Sequence, residues 1–167
     1  MNAVERAVEG LGRVLPAPRR DVEISGLTFS EVLSATLIGG GIATNVIPAE
    51  ARCTLNFRYA PDRTPGEAEA RMGEVAEVAG AELLLRGNSA PAPVVTDTPL
   101  ARRLQEAGSF DVRPKQAWTP VAEFAAVGLD AVNLGPGATR YAHRRDEQVE
   151  IAALVRTFEA LRTFLTR

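Results

Sequence analysis

The residues best suited to chemistry stand near the end of the chain, in a loop that contains its single histidine. His143 is followed within four positions by the carboxylates of Asp146 and Glu147. The apolar run 131–134 before this loop predicts a buried strand, which the glycine-proline-glycine turn at 135–137 ends abruptly. A loop with ionisable groups after a strand is where α/β proteins often keep their active sites. The same residues also fit an ordinary surface loop, because arginines surround the histidine.

A second set of polar residues lies well upstream, next to three glycines at 39–41. A phosphate-binding loop would need Lys-Ser/Thr at the start of a helix, whereas Pro48 and a predicted strand follow here. The glycines are therefore interpreted as a flexible connection between two strands. Residues 52–58 alternate between polar and apolar types, so Arg58 should lie on the polar face of a sheet, with Asn45 in the loop before it.

Composition narrows the class of protein. The net charge is −2 with both signs interspersed, so no basic surface for nucleic acid is expected. The single cysteine cannot form an internal disulfide, and its place on the apolar face of a strand predicts a core residue in preference to a nucleophile. No apolar run reaches the ~18 residues of a membrane span. We therefore predict a cytoplasmic protein without nucleic-acid or membrane partners.

Hydrophobic periodicity predicts two groups of elements. The first comprises a helix over 2–15, an extended piece at 21–24, strands over 31–38 and 50–59, a helix over 65–79 that Thr64 caps, and a strand over 81–86. A linker over 87–97 follows. The second group comprises helices over 98–107 and 120–127, strands over 111–115 and 130–134, and a final helix from 151. Helix-strand-strand-helix-strand is a split β-α-β motif without its first strand, so we predict an α/β chain that begins with a ferredoxin-like half-domain of α+β type.

Taken in order, the motifs resemble the C-terminal part of a family of zinc-dependent amidohydrolases and metallopeptidases. That family includes succinyl-diaminopimelate desuccinylase, acetylornithine deacetylase, aminoacylase and carboxypeptidase G. The segment 115–119, Lys-Gln-Ala-Trp-Thr before an apolar helix, resembles the desuccinylase branch most closely. The resemblance runs from about residue 2 to the end and rests on these motifs: Asn45-Val46-Ile47-Pro48-Ala49, Asn56-Phe57-Arg58-Tyr59, Gly135-Pro136-Gly137, Ala142-His143 and Asp146-Glu147.

The resemblance implies a division into two domains. Residues 1–88 would be the family's lid and dimerisation domain, ferredoxin-like but without its opening strand. Residues 89–167 would be the C-terminal remnant of the zinc-binding α/β catalytic domain, without most of its parallel sheet. We therefore expect a C-terminal fragment or the product of a split gene, which forms a homodimer through the lid. A separate N-terminal fragment is a further candidate partner.

The resemblance also implies two zinc ions about 3.5 Å apart in the complete enzyme, with cobalt as a possible replacement. His143 corresponds to the family's last histidine ligand. The other ligands and the glutamate general base would lie upstream of residue 1, so no catalytic residue is expected in this chain. Asp146 and Glu147 are expected to support the loop and not to bind metal. Because a catalytic zinc needs about three protein ligands, the isolated chain is predicted to be inactive and to bind no zinc tightly.

Four residues are assigned to the substrate by the resemblance. Arg58 corresponds to a carboxylate clamp, where a guanidinium fork suits the geometry of a carboxylate. Asn45 corresponds to a residue that reaches the substrate carboxylate or the hydrolysed carbonyl. Thr119 and Gly135 correspond to the loop that binds the substrate carboxylate. A solvated strand arginine and a turn-forming asparagine remain open as alternatives for the first two.

One segment departs from the family pattern. Many members have Gly-Thr-Ser-Asp-Gly-Arg-Phe where this chain has Trp118-Thr119 and then Pro120-Val121-Ala122-Glu123-Phe124. Pro120 removes an amide donor and Glu123 replaces a cation, so an anionic substrate meets a less favourable field. Either the substrate differs or selection on this loop has relaxed. Trp118 is interpreted as a packing residue at a pocket wall.

Two functions follow as predictions. The first is the C-terminal portion of a metal-dependent amidohydrolase that cleaves an N-acyl amino acid, such as N-succinyl-diaminopimelate. The second is a non-catalytic dimerisation or complementation module with a ferredoxin-like fold. The genome immediately upstream distinguishes them, since it either does or does not encode the missing ligands in a joinable frame.

Overall fold

The computed structural model describes residues 2–166. The described chain forms two compact units, each of which contains two stretches of sequence. The first unit contains residues 2–93 and 114–118, and the second contains residues 94–113 and 119–166. Each unit has its own helices and its own small core, so each is described by itself.

The first unit contains two helices and an antiparallel sheet with the strand order β1-β2-β3. A two-residue turn at Ser25 and Gly26 joins β1 to β2, and both residues have positive φ angles of 51° and 74°. That combination is typical of a type I′ hairpin. β1 pairs with the beginning of β2, and β3 pairs with the remainder. The elements are α1 (Ala3–Val14), β1 (Arg20–Ile24), β2 (Leu27–Gly40), β3 (Ala51–Arg58) and α2 (Pro65–Ala79).

Local sequence signals explain where the two helices begin. The Asn2 side chain caps α1, and the Thr64 side chain caps α2 in a reciprocal capping box with Glu67. The helices approach closely at Gly10, where an added Cβ would lie 2.3 Å from the carbonyl oxygen of Ala79. Both helices lie at the predicted positions, and the antiparallel pairing of β2 with β3 is confirmed. However, β2 extends beyond the predicted range 31–38 at both ends, and the interpretation of Gly39 and Gly40 as part of a flexible connection is wrong, because both pair with residues of β3.

The predicted strand over 81–86 is wrong. These residues form no strand, and the Leu84 side chain is 74% exposed. A strand is held by hydrogen bonds to a neighbour, and among the described residues the sheet ends at β3. The segment predicted only as extended, β1, adds a third strand, but it lies beside β2 and not beside β3. The structure is therefore mixed α/β with a three-stranded sheet, and the ferredoxin-like arrangement stays a prediction.

The second unit is helical in its described residues. It contains α3 (Pro99–Gly108), α4 (Val121–Ala126), a short 3₁₀ helix (Thr139–Tyr141) and α5 (Ile151–Thr166). Thr98 caps α3, and α3 packs against α5. A Cβ added at Gly108 would lie 2.8 Å from the Cβ of Ala160, so this contact depends on small residues.

The two remaining predicted strands, over 111–115 and 130–134, are also wrong. Val112 is 44% exposed and Val132 is 46% exposed, so neither run is buried. Short apolar runs of this kind normally form strands inside a parallel sheet that covers both of their faces. The described residues supply no neighbouring strand for either run, and both remain irregular. No helix in the described part of the chain is long and apolar enough to span a membrane.

Candidate functional site

His143 lies in an exposed loop of the second unit, between two hydrogen-bonded turns. On one side, the Ala142 amide donates to the Thr139 carbonyl oxygen at 3.1 Å. On the other side, the Glu147 amide donates to the Arg144 carbonyl oxygen at 3.2 Å. His143 itself has a positive φ of 62°. Its side chain therefore leaves the loop from the junction of two closed turns.

A close contact closes the base of this loop. Gly137 has a φ of 82°, and a Cβ at this position would lie 2.9 Å from Cγ2 of Val149. A larger residue would be both strained and obstructed there. Glycine thus lets the two ends of the histidine loop meet, which explains the role of the predicted glycine-proline-glycine turn.

The two carboxylates after the histidine have different partners. Asp146 accepts hydrogen bonds from Nε and Nη2 of Arg144 at 2.9 and 3.2 Å. Glu147 accepts a hydrogen bond from the backbone amide of His143 at 3.1 Å. Both carboxylates thus form hydrogen bonds within the loop.

The described residues do not fit a zinc site by themselves. They contain no group of three or more histidine, cysteine, aspartate or glutamate side chains placed to hold a metal ion. His143 can offer one imidazole, whereas a catalytic zinc takes about three protein ligands. Cys53 is also a poor candidate for a metal ligand, because burial raises the pKa of its thiol and so disfavours the thiolate form.

Two of the predicted substrate residues also belong to the second unit. Thr119 is half-buried, and its Oγ1 accepts a hydrogen bond from Nδ2 of Asn133 at 3.0 Å. Because the hydroxyl oxygen accepts from Asn133, the hydroxyl proton remains available for another acceptor. Gly135 is exposed, and a Cβ there would meet no atom within 4 Å. Sequence reasoning did not single out Asn133, although a polar residue inside the apolar run 131–134 is a signal for it.

The departure from the family pattern falls at the start of α4. Pro120 is the N-terminal cap residue and makes no side-chain capping bond. Glu123 stands in the first turn of α4 and is exposed. Trp118, predicted to pack at a pocket wall, is 58% exposed in the first unit. Trp118 is therefore more exposed than a packed residue would be.

Asn45 and Arg58 belong to the first unit. Asn45 is exposed in the loop between β2 and β3 and borders an open cleft of about 740 Å³, which Asn2 and Pro48 also line. Arg58 is the last residue of β3, opposite Val32 of β2, and is exposed. The alternation predicted for 52–58 is confirmed, because polar positions are exposed and apolar ones half-buried.

Sequence reasoning missed a buried carboxylate in the first unit. Glu31 of β2 is 7% exposed and accepts hydrogen bonds from Nε and Nη2 of Arg63 at 2.8 and 3.0 Å. Arg20 of β1 lies 3.1 Å from the same carboxylate. A signal for it exists, since Glu31 shares a strand face with Phe29, which is buried. The cluster ties β1, β2 and the turn after β3 together.

Comparison with known proteins finds one matching family model and several relatives of this chain. Residues 22–83 match the model of the M20 peptidase dimerisation domain. A putative succinyl-diaminopimelate desuccinylase of Mycobacterium tuberculosis (strain CDC 1551 / Oshkosh) is 38% identical over 164 residues, which are 98% of this chain and 46% of that protein. A succinyl-diaminopimelate desuccinylase of Corynebacterium glutamicum is 31% identical over 169 residues, with 99% of this chain and 46% of that protein covered.

A third relative, a succinyl-diaminopimelate desuccinylase of Cereibacter sphaeroides, is 32% identical over 146 residues, with 75% of this chain and 35% of that protein covered. The chain spans just under half the length of the first two relatives. These matches confirm the resemblance predicted from the motifs. The chain belongs to the M20 peptidase family, and the relatives it matches there carry the name succinyl-diaminopimelate desuccinylase.

Proposed function

We propose that this chain is the C-terminal portion of a metal-dependent amidohydrolase that cleaves an N-acyl amino acid, with N-succinyl-diaminopimelate as the favoured substrate. The observation that carries the proposal is the extent of the match. It covers 98% of this chain, and therefore both units, in a relative named as a desuccinylase. A match confined to the dimerisation domain would not include the histidine loop.

In this proposal His143 supplies one imidazole to a metal site that residues outside the chain complete. Its exposure and its place at the junction of two closed turns support that role. The metal would be zinc, with cobalt as a possible replacement, and it would supply Lewis-acid chemistry when bound. The glutamate general base would also come from outside this chain.

Two of the candidate substrate residues, Arg58 and Asn45, lie in the first unit. Arg58 would form a forked ion pair with the substrate carboxylate. Asn45 would donate to that carboxylate or to the carbonyl that is hydrolysed. In the second unit, the free hydroxyl proton of Thr119 could donate to a substrate oxygen, while Gly135 leaves room for close approach of the ligand.

The surface of α5 supports the proposal that more protein covers the second unit. Apolar side chains of this helix are largely exposed, with Ile151 at 79%, Phe158 at 62% and Leu165 at 74%. Exposed apolar faces of this kind usually mark an interface. We propose that the remainder of the catalytic domain covers α5, and that the dimerisation domain matched at 22–83 forms a homodimer. A cytoplasmic enzyme would fit the lone cysteine.

The first test uses the purified chain alone. We expect no hydrolysis of N-succinyl-diaminopimelate and zinc binding no tighter than that of a single exposed imidazole, measured by calorimetry with His143→Ala as the control. Zinc binding at micromolar concentration or tighter that His143→Ala abolishes, or turnover of the substrate, would contradict this expectation.

The second test uses a complex of this chain with the part of the M. tuberculosis relative that it does not match. We expect turnover, and a loss of about 100-fold or more in His143→Ala because a metal ion loses a ligand. Arg58→Ala should mainly raise KM, and Arg58→Lys should not restore it, since lysine lacks the fork. Wild-type kinetics in both alanine variants would refute the assignments.

The alternative function is a non-catalytic dimerisation or complementation module. One observation favours it, namely that the family model matches residues 22–83 only and not the histidine loop. Glu123 is exposed, and Pro120 makes no side-chain capping bond at the start of α4. Both features also fit a segment that does not bind substrate. A complex that forms with the stoichiometry of a dimer but shows no turnover with added zinc would favour this alternative.

A further inference from the structure

The backbone of His143 is the strained point of the histidine loop. Its φ of 62° lies in the left-handed region, which glycine adopts readily and residues with side chains adopt at a cost. The direction in which a side chain leaves the backbone depends on that angle. A group that holds His143 in this conformation therefore also sets the direction of the imidazole.

Glu147 is placed to be that group. Its Oε2 accepts the hydrogen bond from the His143 amide at 3.1 Å, and its own amide donates to the Arg144 carbonyl oxygen at 3.2 Å. Glu147 is thus tied to the loop through both its backbone and its side chain. Hydrogen bonds to a carboxylate are stronger than those between neutral groups.

The neighbouring carboxylate of Asp146 has a different hydrogen-bond partner. Asp146 forms its two hydrogen bonds with the Arg144 guanidinium, and both of these side chains are more than half exposed. The contact of Gly137 with Val149 then closes the base of the loop. Glu147 therefore acts on His143 inside a closed frame, and Asp146 offers a matched control one residue away.

We propose that Glu147 is a positioning residue, whose carboxylate holds the backbone of His143 in its left-handed conformation and so aims the imidazole. The proposal rests on the proposed function in one respect, namely that His143 is a metal ligand. The hydrogen bond and the φ angle that carry it can be tested without any metal or substrate.

The first experiment is NMR spectroscopy of the chain alone. In Glu147→Ala, the strong intraresidue Hα–HN contact that a positive φ produces at His143 should be lost, and exchange of its amide should accelerate about tenfold, as expected for one lost hydrogen bond. Glu147→Gln keeps an acceptor oxygen and should retain most of both signals. Asp146→Asn should change neither, and unchanged amide shifts in α3 and α5 would show that the unit remains folded.

Two results would overturn the proposal at this stage: wild-type amide exchange and Hα–HN contact in Glu147→Ala, or equal effects of Asp146→Asn.

A second experiment measures kinetics in the complex with the unmatched part of the M. tuberculosis relative. Glu147→Ala should lower kcat about tenfold at unchanged KM, with partial rescue by Glu147→Gln. If Glu147→Ala keeps full kcat while His143→Ala is inactive, positioning is refuted. If His143→Ala is also fully active, the proposed function itself fails.

Discussion

The buried carboxylate of Glu31 offers a sharp test of what holds the first unit together. Burial by itself would raise the pKa of Glu31, but hydrogen bonds from Arg63 and from the Ala60 amide, with the charges of Arg63 and Arg20, outweigh it and lower the pKa below its usual value. The perturbation is Glu31→Gln, which keeps the volume of the side chain and removes its charge.

The expected magnitude follows from the contacts. Removing one partner of a fully buried ion pair costs about 3–5 kcal/mol, because the other charge is left without compensation. The Arg63 side chain is 23% exposed and that of Arg20 is 45% exposed, so water can replace part of what the carboxylate supplied. We therefore expect Glu31→Gln to lower the free energy of unfolding by about 2–3 kcal/mol, near the range for hydrogen bonds to charged groups.

Urea unfolding monitored by circular dichroism measures this loss. The matched control is Glu50→Gln, whose partner Arg52 lies at 3.5 Å with both side chains about 80% exposed. That variant should lose no more than about 0.5 kcal/mol, as exposed pairs do. Equal losses in the two variants would refute the argument that burial gives the Glu31 contacts their strength.

The pH dependence supplies a second criterion. Because the folded state lowers the pKa of Glu31, its stabilisation is complete above the unfolded pKa of about 4.3. It is lost as the pH falls through the lower folded value. The difference in the free energy of unfolding between wild type and Glu31→Gln should therefore be constant near neutral pH and shrink in acid. A difference that stays constant or widens below about pH 4 would contradict the direction of the pKa shift.

Three further predictions concern the first unit. Gly10→Ala should destabilise the chain by about 1–3 kcal/mol in urea unfolding, because the added Cβ meets the Ala79 carbonyl. Gly12→Ala is the control: its Cβ meets no atom within 4 Å, so it should stabilise the chain by up to about 1 kcal/mol. Equal effects of the two substitutions would exclude the close contact. Ser25→Asn should raise the melting temperature, because Asn-Gly is preferred in type I′ turns, and a lower value would argue against the positive φ there. Within residues 2–166 the outer edge of β3 has no partner strand, and this edge should make the isolated chain self-associate or only marginally stable, as size-exclusion chromatography with light scattering and a thermal melt would show. A strict monomer with a sharp melt above about 60 °C would refute this.

Helix boundaries and the β2–β3 hairpin could be predicted because their signals are local. Asn2, Thr64 and Thr98 cap helices through bonds to amides at most three residues away, and a capping side chain needs no distant partner. The alternation over 52–58 likewise decides which side chains of β3 face outward. The types of the candidate site residues, including the only histidine, are properties of the sequence alone.

Strand formation, in contrast, was decided by tertiary structure. The runs 81–86, 111–115 and 130–134 have strand-like composition but form no strands. The pattern of a run shows that it can enter a sheet, whereas only a neighbouring strand supplies the hydrogen bonds that keep it there. The same distinction explains why β1 became a strand, since the turn at Ser25 and Gly26 brings β2 alongside it.

For individual side chains, too, some properties follow from the sequence and others depend on tertiary contacts. That Glu31 lies on the Phe29 face of β2 follows from strand periodicity. That its pKa falls and does not rise depends on Arg63, 32 residues away in sequence. The left-handed backbone of His143 and its bond to Glu147 also appear only in the folded loop. Residue types and local periodicity determine which groups are available, whereas long-range contacts determine their charge and direction, because both depend on neighbours that folding brings together.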